Sequence, residues 1–155
     1  MAEAFEITGG DQLSALAGRL GRVPAAMRLQ TVARMQAVGE IMKTAVQRNA
    51  LAIPVKGEET TGLRHALAAA TKVRTRATSA SVDVRVAVDS TTMPPGQEKL
   101  PALMESVGWT HPTFGSRPAQ VFQPGHLYFH PAIEPLLPLM QSAIDSAAAD
   151  ATRAV

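Results

Sequence analysis

The fold of this chain is decided by two stretches, Lys72-Val73-Arg74-Thr75-Arg76-Ala77-Thr78 and Val82-Asp83-Val84-Arg85-Val86-Ala87-Val88-Asp89. In both stretches apolar or small residues alternate with charged residues at a period of two, which is typical of a half-buried β-strand. The turn formers Thr78-Ser79-Ala80-Ser81 between them favour an antiparallel hairpin. We therefore predict a two-stranded sheet with its valines inward and its charged side chains outward.

Helical periodicity surrounds this hairpin. After Pro24, apolar residues recur at intervals of three and four and predict one long helix, with Val32, Met35, Val38, Met42, Ala45 and Val46 on its apolar face. This helix must end before Pro54, and Gly39 only weakens it. A shorter helix is predicted from Leu63. A C-terminal helix is expected to be regular from about Pro138 onward, because several prolines disturb its first turns.

Shorter elements complete the prediction. They are a strand at residues 4–8, a helix from Asp11 to Gly21, a linker at residues 91–96, a short helix at residues 100–107 and a strand at residues 120–123. We expect residues 54–62 to form a flexible loop, because turn formers and charges alternate there. The sequence thus predicts a single α+β domain over residues 1–155, in which long N-terminal helices and a C-terminal helix pack on a small antiparallel sheet.

Residues 109–131 hold every aromatic side chain of the chain except Phe5. Prolines and glycines interrupt this segment, so no regular helix or long inner strand can run through all of it. We predict a rigid aromatic loop region, which is either a small satellite core or an anchor for a partner. The candidate interface or structural residues are Trp109, His111, Pro112, Phe114, Gly115, Arg117, Phe122, Tyr128, Phe129 and Pro131.

The net charge of +2 conceals a strong asymmetry along the chain. Residues 19–76 carry eleven Lys and Arg against three Glu, or 11 − 3 = +8, whereas residues 1–18 contribute −3 and residues 77–155 contribute 4 − 7 = −3. The charge asymmetry predicts one basic and one acidic surface. Such surfaces suit head-to-tail contacts between subunits, or a basic face turned toward nucleic acid. The candidate DNA-proximal residues are Arg28, Arg34, Lys43 and Arg48. These four residues do not lie on one face of a helix. Such a distribution is more typical of a solvated helix surface than of a helix that contacts bases in a DNA groove.

Several kinds of active site find no support in the sequence. The lack of cysteine excludes disulfides, thiolate metal sites and thiol nucleophiles. Neither a Gly-x-Ser-x-Gly elbow nor a Gly-x-x-x-x-Gly-Lys phosphate loop occurs. His111, His126 and His130 are the sharpest candidate metal ligands, but prolines and Gly125 argue against the helix that would align them, and no carboxylate lies close in sequence. We expect no enzyme activity and no cofactor.

The sequence also shows no pattern of a secretory signal or of a membrane-spanning segment. The acidic start of the chain, with no basic residues before an apolar run, does not resemble a secretory signal. No apolar stretch is long enough to span a bilayer.

The order of several short motifs resembles a known family. Ile53-Pro54-Val55 followed by Thr61-Gly62-Leu63-Arg64 is similar to the "Pro-Val … Thr-Gly-x-Leu-Arg" passage of minor tail components of long-tailed bacteriophages and prophages. Trp109-Thr110-His111-Pro112-Thr113-Phe114-Gly115 resembles that family's "Trp-x-His-Pro-x-Phe-Gly" signature, and Phe129-His130-Pro131-Ala132-Ile133 resembles a second, C-terminal one. The chain departs from the family in a longer loop after Pro54. It also has Glu105-Ser106-Val107-Gly108 where the family has "Glu-x-Gly-Thr".

This resemblance covers roughly residues 10–150 and implies a structural role. Members are called neck, head–tail connector or tail-completion proteins. An α+β protomer of this kind assembles in the bacterial cytoplasm into a homo-oligomeric ring, expected to be six-fold, between the head portal and the tail tube of the virion. The implied partners are further copies of the chain and the adjacent connector, portal-side, tail-tube or terminator proteins.

Several alternatives stay open at this point. Tail terminator and head-closure (stopper) proteins share the size and general architecture of the family, so the position in the connector stack is not fixed. In the ring hypothesis, Thr61, Gly62, Leu63 and Arg64 and the basic helices face the channel or the tube, with non-specific contact to DNA. A basic nucleic-acid-binding module and a small metal-dependent enzyme are the hypotheses of other classes. Trp109 and Phe114 either close the core or form an interface.

Overall fold

The structure is a computed structural model that describes residues 25–54, 62–78, 82–113 and 116–153. For residues 25–26, 111–113, 116–119 and 151 it describes the backbone alone. The strand predicted at residues 4–8, the helix predicted at 11–21, the turn at 79–81 and most of the loop predicted at 54–62 lie outside the described residues.

The described part combines helices with two small antiparallel sheets of two strands each, as predicted for an α+β protein. The elements in chain order are α1 (Ala25–Leu51), α2 (Leu63–Ala70), β1 (Thr71–Ala77), β2 (Val82–Val88), α3 (Leu100–Met104), β3 (Gly108–Thr113), β4 (Ser116–Pro124), α4 (His130–Ile133) and α5 (Leu137–Arg153). Short 3-10 turns lie at Ser90–Thr92 and Glu134–Leu136. None of the helices in the described ranges is long and apolar enough to cross a membrane.

The first hairpin confirms the prediction from residue alternation. β1 and β2 pair antiparallel from Thr71 opposite Val88 to Ala77 opposite Val82. Val82, Val86 and Val88 are buried, whereas the Lys and Arg side chains of β1 are exposed. The valine face therefore points into the core, and the charged face points outward.

Helix α1 lies across this valine face and forms the centre of the core. It spans Ala25–Leu51 and so ends before Pro54, as predicted. Its buried side chains include Met35, Val38, Met42 and Val46, each at most 6% exposed. It also contacts α2, α4 and α5. Burying each of these large apolar side chains contributes about 1.5–3 kcal/mol, so this helix face supplies much of the stability of the protomer.

Gly39 has a packing role that the sequence pattern did not indicate. A Cβ atom built on Gly39 would lie 2.9 Å from Cγ1 of Val73 and 2.9 Å from Cγ1 of Val84, on the two strands of the hairpin. Real Cβ atoms do not come so close to other carbon atoms. The prediction that Gly39 only weakens the helix is therefore corrected. The missing side chain lets the α1 backbone approach the sheet.

Most of the segment predicted as an aromatic loop is a second hairpin. β3 and β4 pair antiparallel from Gly108 opposite Pro124 to Thr113 opposite Ser116, with a register shift between Pro112 and Thr113. The loop prediction is corrected for these strands, and the strand predicted at residues 120–123 is found within β4. Prolines fit here because both strands of a two-stranded sheet are edge strands, where a missing N–H group need not interrupt the pairing. Residues 125–128 contain neither helix nor strand.

The C-terminal helix packs on α1. α5 starts at Leu137, and the short α4 and the 3-10 turn before it are the irregular first turns that the prolines predicted. Ala143, Ile144 and Ala147 are buried. Arg34 of α1 donates from Nη1 to Oδ2 of Asp150 at 3.0 Å. The basic and acidic segments of the chain thus meet within one protomer, in addition to any contact between subunits.

Candidate functional site

The hairpin of β3 and β4, called the arm below, has an exposed second strand. Residues 120–124 of β4 are all exposed, and the arm meets the body chiefly where β3 contacts α3. A two-stranded hairpin is only marginally stable in water without further packing. The arm therefore depends on the contacts that hold its base and on any partner that covers it.

A buried carboxylate holds that base. Glu105 follows α3, and its side chain is only 1% exposed. One carboxylate oxygen accepts hydrogen bonds from the backbone N–H groups of Tyr128 and Phe129, both at 2.7 Å, and the other accepts from the N–H group of His130 at 3.4 Å. Burial of a charge is tolerated when hydrogen bonds of this kind replace water. Glu105 thus joins the end of α3 to the start of α4.

His130 adds a side-chain contact to the same carboxylate. Its Nδ1 atom lies 2.7 Å from Oε2 of Glu105, while 60% of the His130 side chain is exposed. We call Glu105, His130 and the backbone of residues 128–130 the clamp. No local sequence pattern indicates the clamp, because the two side chains are 25 positions apart. The sequence signal nearest to it is that Glu105 is the first residue of the segment that aligns with the "Glu-x-Gly-Thr" motif of the phage tail components.

Tyr128 and Phe129 belong to the core of the protomer. Each is 1% exposed, and Ile133 is buried in the same cluster. Burial, and to a lesser degree the nearby charge of Glu105, raises the pKa of Tyr128 well above its usual value. Of the two roles left open for these rings, the structure supports core closure. Trp109 is half-buried and packs against the same core.

Exposed apolar side chains surround the base of the arm. Val107 is 91% exposed, and Phe122 and Leu127 are each 57% exposed. A Cβ atom on Gly108, whose φ is 136°, would lie 2.6 Å from Cζ of Phe122, so the ring rests against the Gly108 backbone next to Val107. We call Val107, Phe122 and Leu127 the arm-base patch. Exposed apolar side chains on or next to the same end of a hairpin are a candidate interaction surface.

The remaining candidates of the aromatic segment are located by their backbone. His111 lies opposite Val121 and Pro112 lies opposite Gln120 in the arm, but the side chains of His111, Pro112 and Arg117 are not described. Phe114 and Gly115 lie outside the described residues. Pro131 is exposed in the first turn of α4.

The residues proposed to face a channel have contacts within the protomer. Gly62 is the N-cap of α2 with a φ of 63°, and Leu63 packs against the core. Nη1 of Arg64 donates to the carbonyl oxygens of Leu51 at 3.2 Å and Ile53 at 3.5 Å. These carbonyls lie at the end of α1, where the helix supplies no N–H partner. Arg64 therefore tethers α2 to the end of α1, and Thr61 lies outside the described residues.

The candidate DNA-proximal side chains are spread along α1. Arg34 pairs with Asp150, and Lys43 pairs with Glu40 at 2.7 Å. Arg48 borders an open groove of about 440 Å³ between α1 and the 3-10 turn before α5. This groove, called the α1 groove, is lined by Glu40, Ile41, Thr44, Ala45, Arg48 and Leu136. Ile41 in the groove is 47% exposed.

The three histidines considered as candidate metal ligands, His111, His126 and His130, do not form a site among the described side chains. Within the ranges that the structure describes, no three His, Asp or Glu side chains come together as candidate metal ligands. The side chain of His111 is not among those described. His130 is engaged in the clamp instead.

Comparison with protein-family models, with curated proteins and with solved structures finds no match to this chain. The function is therefore inferred from the arm, from the clamp at its base and from the exposed apolar and charged surfaces.

Proposed function

We propose that this chain is a non-enzymatic structural protein of the head–tail connector, or neck, of a long-tailed bacteriophage. Copies of the chain form a closed homo-oligomeric ring, expected to contain six protomers, that joins or completes the tail at the head interface. The ring assembles in the host cytoplasm and becomes part of the virion, next to connector, portal-side or tail-tube proteins. The motifs at residues 53–64 and 109–133 support this proposal by their resemblance to such proteins. A tail terminator or a head-closure ring is the alternative within the same class.

The observation that carries the proposal is the arm with its apolar base. Phe122 on the arm and Val107 and Leu127 next to it are each more than half exposed, and the arm has little packing of its own. A second protein surface would cover these groups and stabilise the hairpin. An element of this kind is expected in a protein whose work is to hold neighbours together.

A ring also requires a second, different surface on each protomer. In a closed ring the contacts are heterologous, so one face of a protomer meets another face of its neighbour. The α1 groove offers an apolar concave surface through Ile41, Ala45 and Leu136, on elements other than the arm. We propose that the arm-base patch of one copy enters the α1 groove of the next.

The clamp supports a structural rather than a catalytic role for its histidine and carboxylate. A His–carboxylate pair at 2.7 Å is also found in enzyme sites. In this protein, however, the carboxylate of Glu105 accepts hydrogen bonds from the backbone N–H groups of three consecutive residues. The carboxylate therefore holds the chain in place, and its lone pairs are largely occupied.

The mass of the purified chain in solution tests the proposal. Light scattering over a range of concentrations and salt should give a discrete species near six times 16.4 kDa. Phe122→Ser and Ile41→Ser should each remove one side of the contact and give monomers. Leu139→Ser is the matched control, since Leu139 is a 41% exposed apolar residue on α5, and it should leave the ring intact.

Mixing the two variants provides a sharper result. If the contact is heterologous, Phe122→Ser and Ile41→Ser copies each keep one intact surface, so an equal mixture should form dimers and nothing larger. Equal masses for Phe122→Ser and Leu139→Ser would rule out the arm-base patch as the contact. A chain that stays monomeric at every concentration, and also fails to bind portal and tail-tube proteins, would contradict the connector function.

A further inference from the structure

We propose that the outer face of the β1–β2 hairpin binds the phosphate backbone of nucleic acid without reading its sequence. This face carries the cationic side chains of Lys72, Arg74, Arg76 and Arg85. It is separate from the α1 residues that the sequence suggested as DNA-proximal. It does not depend on the ring proposal, because a single protomer presents the whole face.

The strand register brings the cations together. Arg74 lies directly opposite Arg85, Lys72 lies opposite Ala87 and Arg76 lies opposite Asp83. The intervening positions hold the valines that face α1, so these residues share the outward face. An open groove of about 360 Å³ lies over this face and is lined by the side chains of both strands.

The charge balance of the face is positive. Its four cations stand against Asp83 and Asp89, or 4 − 2 = +2. Asp89 is engaged at the end of β2. It accepts from the hydroxyl of Thr91 at 2.6 Å and pairs with Nη2 of Arg74 at 3.2 Å. The Thr91 hydroxyl is the main cause that lowers the pKa of Asp89, so this carboxylate is ionised and already satisfied within the protein.

The pair Arg74 and Arg85 indicates what the face would bind. Like charges directly opposite each other on a sheet are destabilising. Arg74 is 74% exposed, and its one carboxylate partner lies to the side at Asp89. An anion placed over the outward face would lie close to both guanidinium groups. A phosphate group fits this place because guanidinium groups bind it through paired hydrogen bonds.

The spacing of the cations suits an extended polyanion. Side chains on one face of a strand recur every two residues, about 6.8 Å apart, so Lys72, Arg74 and Arg76 form a straight row. A strand of B-form nucleic acid carries one phosphate charge for each ~3.4 Å of helix axis. Over the ~14 Å that the row spans, one such strand carries about four phosphates, so the row can meet several phosphate charges at once.

The composition of the face favours nucleic acid over an acidic protein. The groove lining has only Ala87 and Val88 as apolar residues and no aromatic ring, and the rest is charged. Cores of protein–protein interfaces are depleted in charge and rich in aromatic side chains. Protein–DNA interfaces are polar and strongly positive. Without aromatic rings to stack on bases, this face can contact only the backbone, which predicts binding without sequence preference.

Fluorescence anisotropy with the full chain tests the inference. The probes are two labelled DNA duplexes of equal length and unrelated sequence, which should bind with equal affinity. About four phosphate contacts correspond to a loss of affinity on the order of 100-fold between 50 and 200 mM salt. The mass of the protein, measured in the same buffers, separates this result from the ring proposal.

Two charge-matched variants locate the site. In the hairpin variant Lys72, Arg74 and Arg76 are changed to Gln, and in the control variant Arg28, Lys43 and Arg153, all on helices, are changed to Gln. Both lose the same charge. The hairpin variant should lose most of its affinity at 50 mM salt, and the slope of log affinity against log salt should fall by about 2.7. The control variant should keep the slope of the unaltered chain.

Three results would overturn the inference. These are no binding of either duplex at low salt, an unchanged slope in a hairpin variant whose circular dichroism is native, and displacement of the duplex by polyglutamate at equal charge concentration. The last result would assign the face to an acidic protein segment instead.

Discussion

Nδ1 of His130 lies 2.7 Å from a carboxylate oxygen of Glu105, although the two residues are 25 positions apart in the chain. The carboxylate also accepts hydrogen bonds from the backbone N–H groups of Tyr128 and Phe129. One buried side chain therefore fixes where α4 starts and where β3 leaves the body. The position of the arm depends on the clamp as much as on the pairing of its own strands.

Replacement of Glu105 should destabilise the protomer. In Glu105→Gln an amide NH₂ group replaces one oxygen that accepts backbone N–H groups, so we expect the free energy of unfolding to fall by about 2 kcal/mol. Urea denaturation followed by circular dichroism measures this change. Glu134→Gln is the control, since Glu134 is exposed, and it should change the stability little. Equal stability of the two variants would mean that the clamp contributes little to the fold.

Alkaline pH should destabilise the protein through Tyr128. Burial raises the pKa of Tyr128 above its unfolded value of about 10, so the folded chain keeps a proton that the unfolded chain releases. This contribution to stability is complete below about pH 10. It decreases above that pH by up to about 1.4 kcal/mol per pH unit, until the pKa of the folded state is reached.

Tyr128 is the only tyrosine of the chain, so its ionisation can be followed directly. Tyrosinate absorbance should appear together with the loss of the circular dichroism signal. In Tyr128→Phe this part of the alkaline destabilisation should disappear. Ionisation near pH 10 in a protein that is still folded would contradict the buried position of Tyr128.

Gly39→Ala should destabilise the contact between α1 and the first hairpin. Alanine favours an isolated helix by about 1 kcal/mol over glycine. Here its methyl group would lie 2.9 Å from the Cγ1 atoms of Val73 and Val84, and overpacking of this kind costs about 1–3 kcal/mol. We expect a net loss in thermal or urea denaturation. Val84→Ala should recover part of that loss when combined with Gly39→Ala, and simple additivity of the two changes would argue against the clash.

Two threonines of β1 should respond in opposite directions to replacement by valine. The buried hydroxyl of Thr75 finds no hydrogen-bond partner within the described residues, so Thr75→Val should stabilise the protein by about 1 kcal/mol. The hydroxyl of Thr71 donates to the carbonyl oxygen of Leu67 at 2.9 Å, and Thr71→Val should destabilise it by a similar amount. Denaturation curves of both variants measure the difference, and a stabilising Thr71→Val would contradict the assigned hydrogen bond.

The elements that sequence reasoning predicted well are those whose signal is local. The period of two in β1 and β2 and the period of three to four in α1 each arise from one element with one buried face, so neighbouring residues carry the information. The end of α1 before Pro54 also follows from a local steric rule.

The features that were missed depend on distant parts of the chain. Gly39 gains its role from Val73 and Val84, which follow it by more than thirty positions. The clamp requires Glu105 to meet residues 128–130. The arm was predicted as a loop because prolines usually interrupt strands, and they are acceptable there because both strands are edge strands in the part of the chain that the structure describes. The aromatic content singled out the segment that holds the arm and part of the clamp. Burial then separated Phe129, which is in the core, from Phe122, which is exposed.

The placement of α5 on α1 has a consequence for synthesis of the protein. Arg34 and its partner Asp150 are 116 positions apart, so α1 leaves the ribosome long before the helix that covers part of it exists. The first hairpin can fold onto α1 early. The surface that Ala143, Ile144 and Ala147 cover stays exposed until α5 has been synthesised. We expect nascent chains that stop at residue 136 to bind a hydrophobic dye or a chaperone, and chains that include α5 to lose that binding. The core of the protomer is thus completed only after α5 has been synthesised.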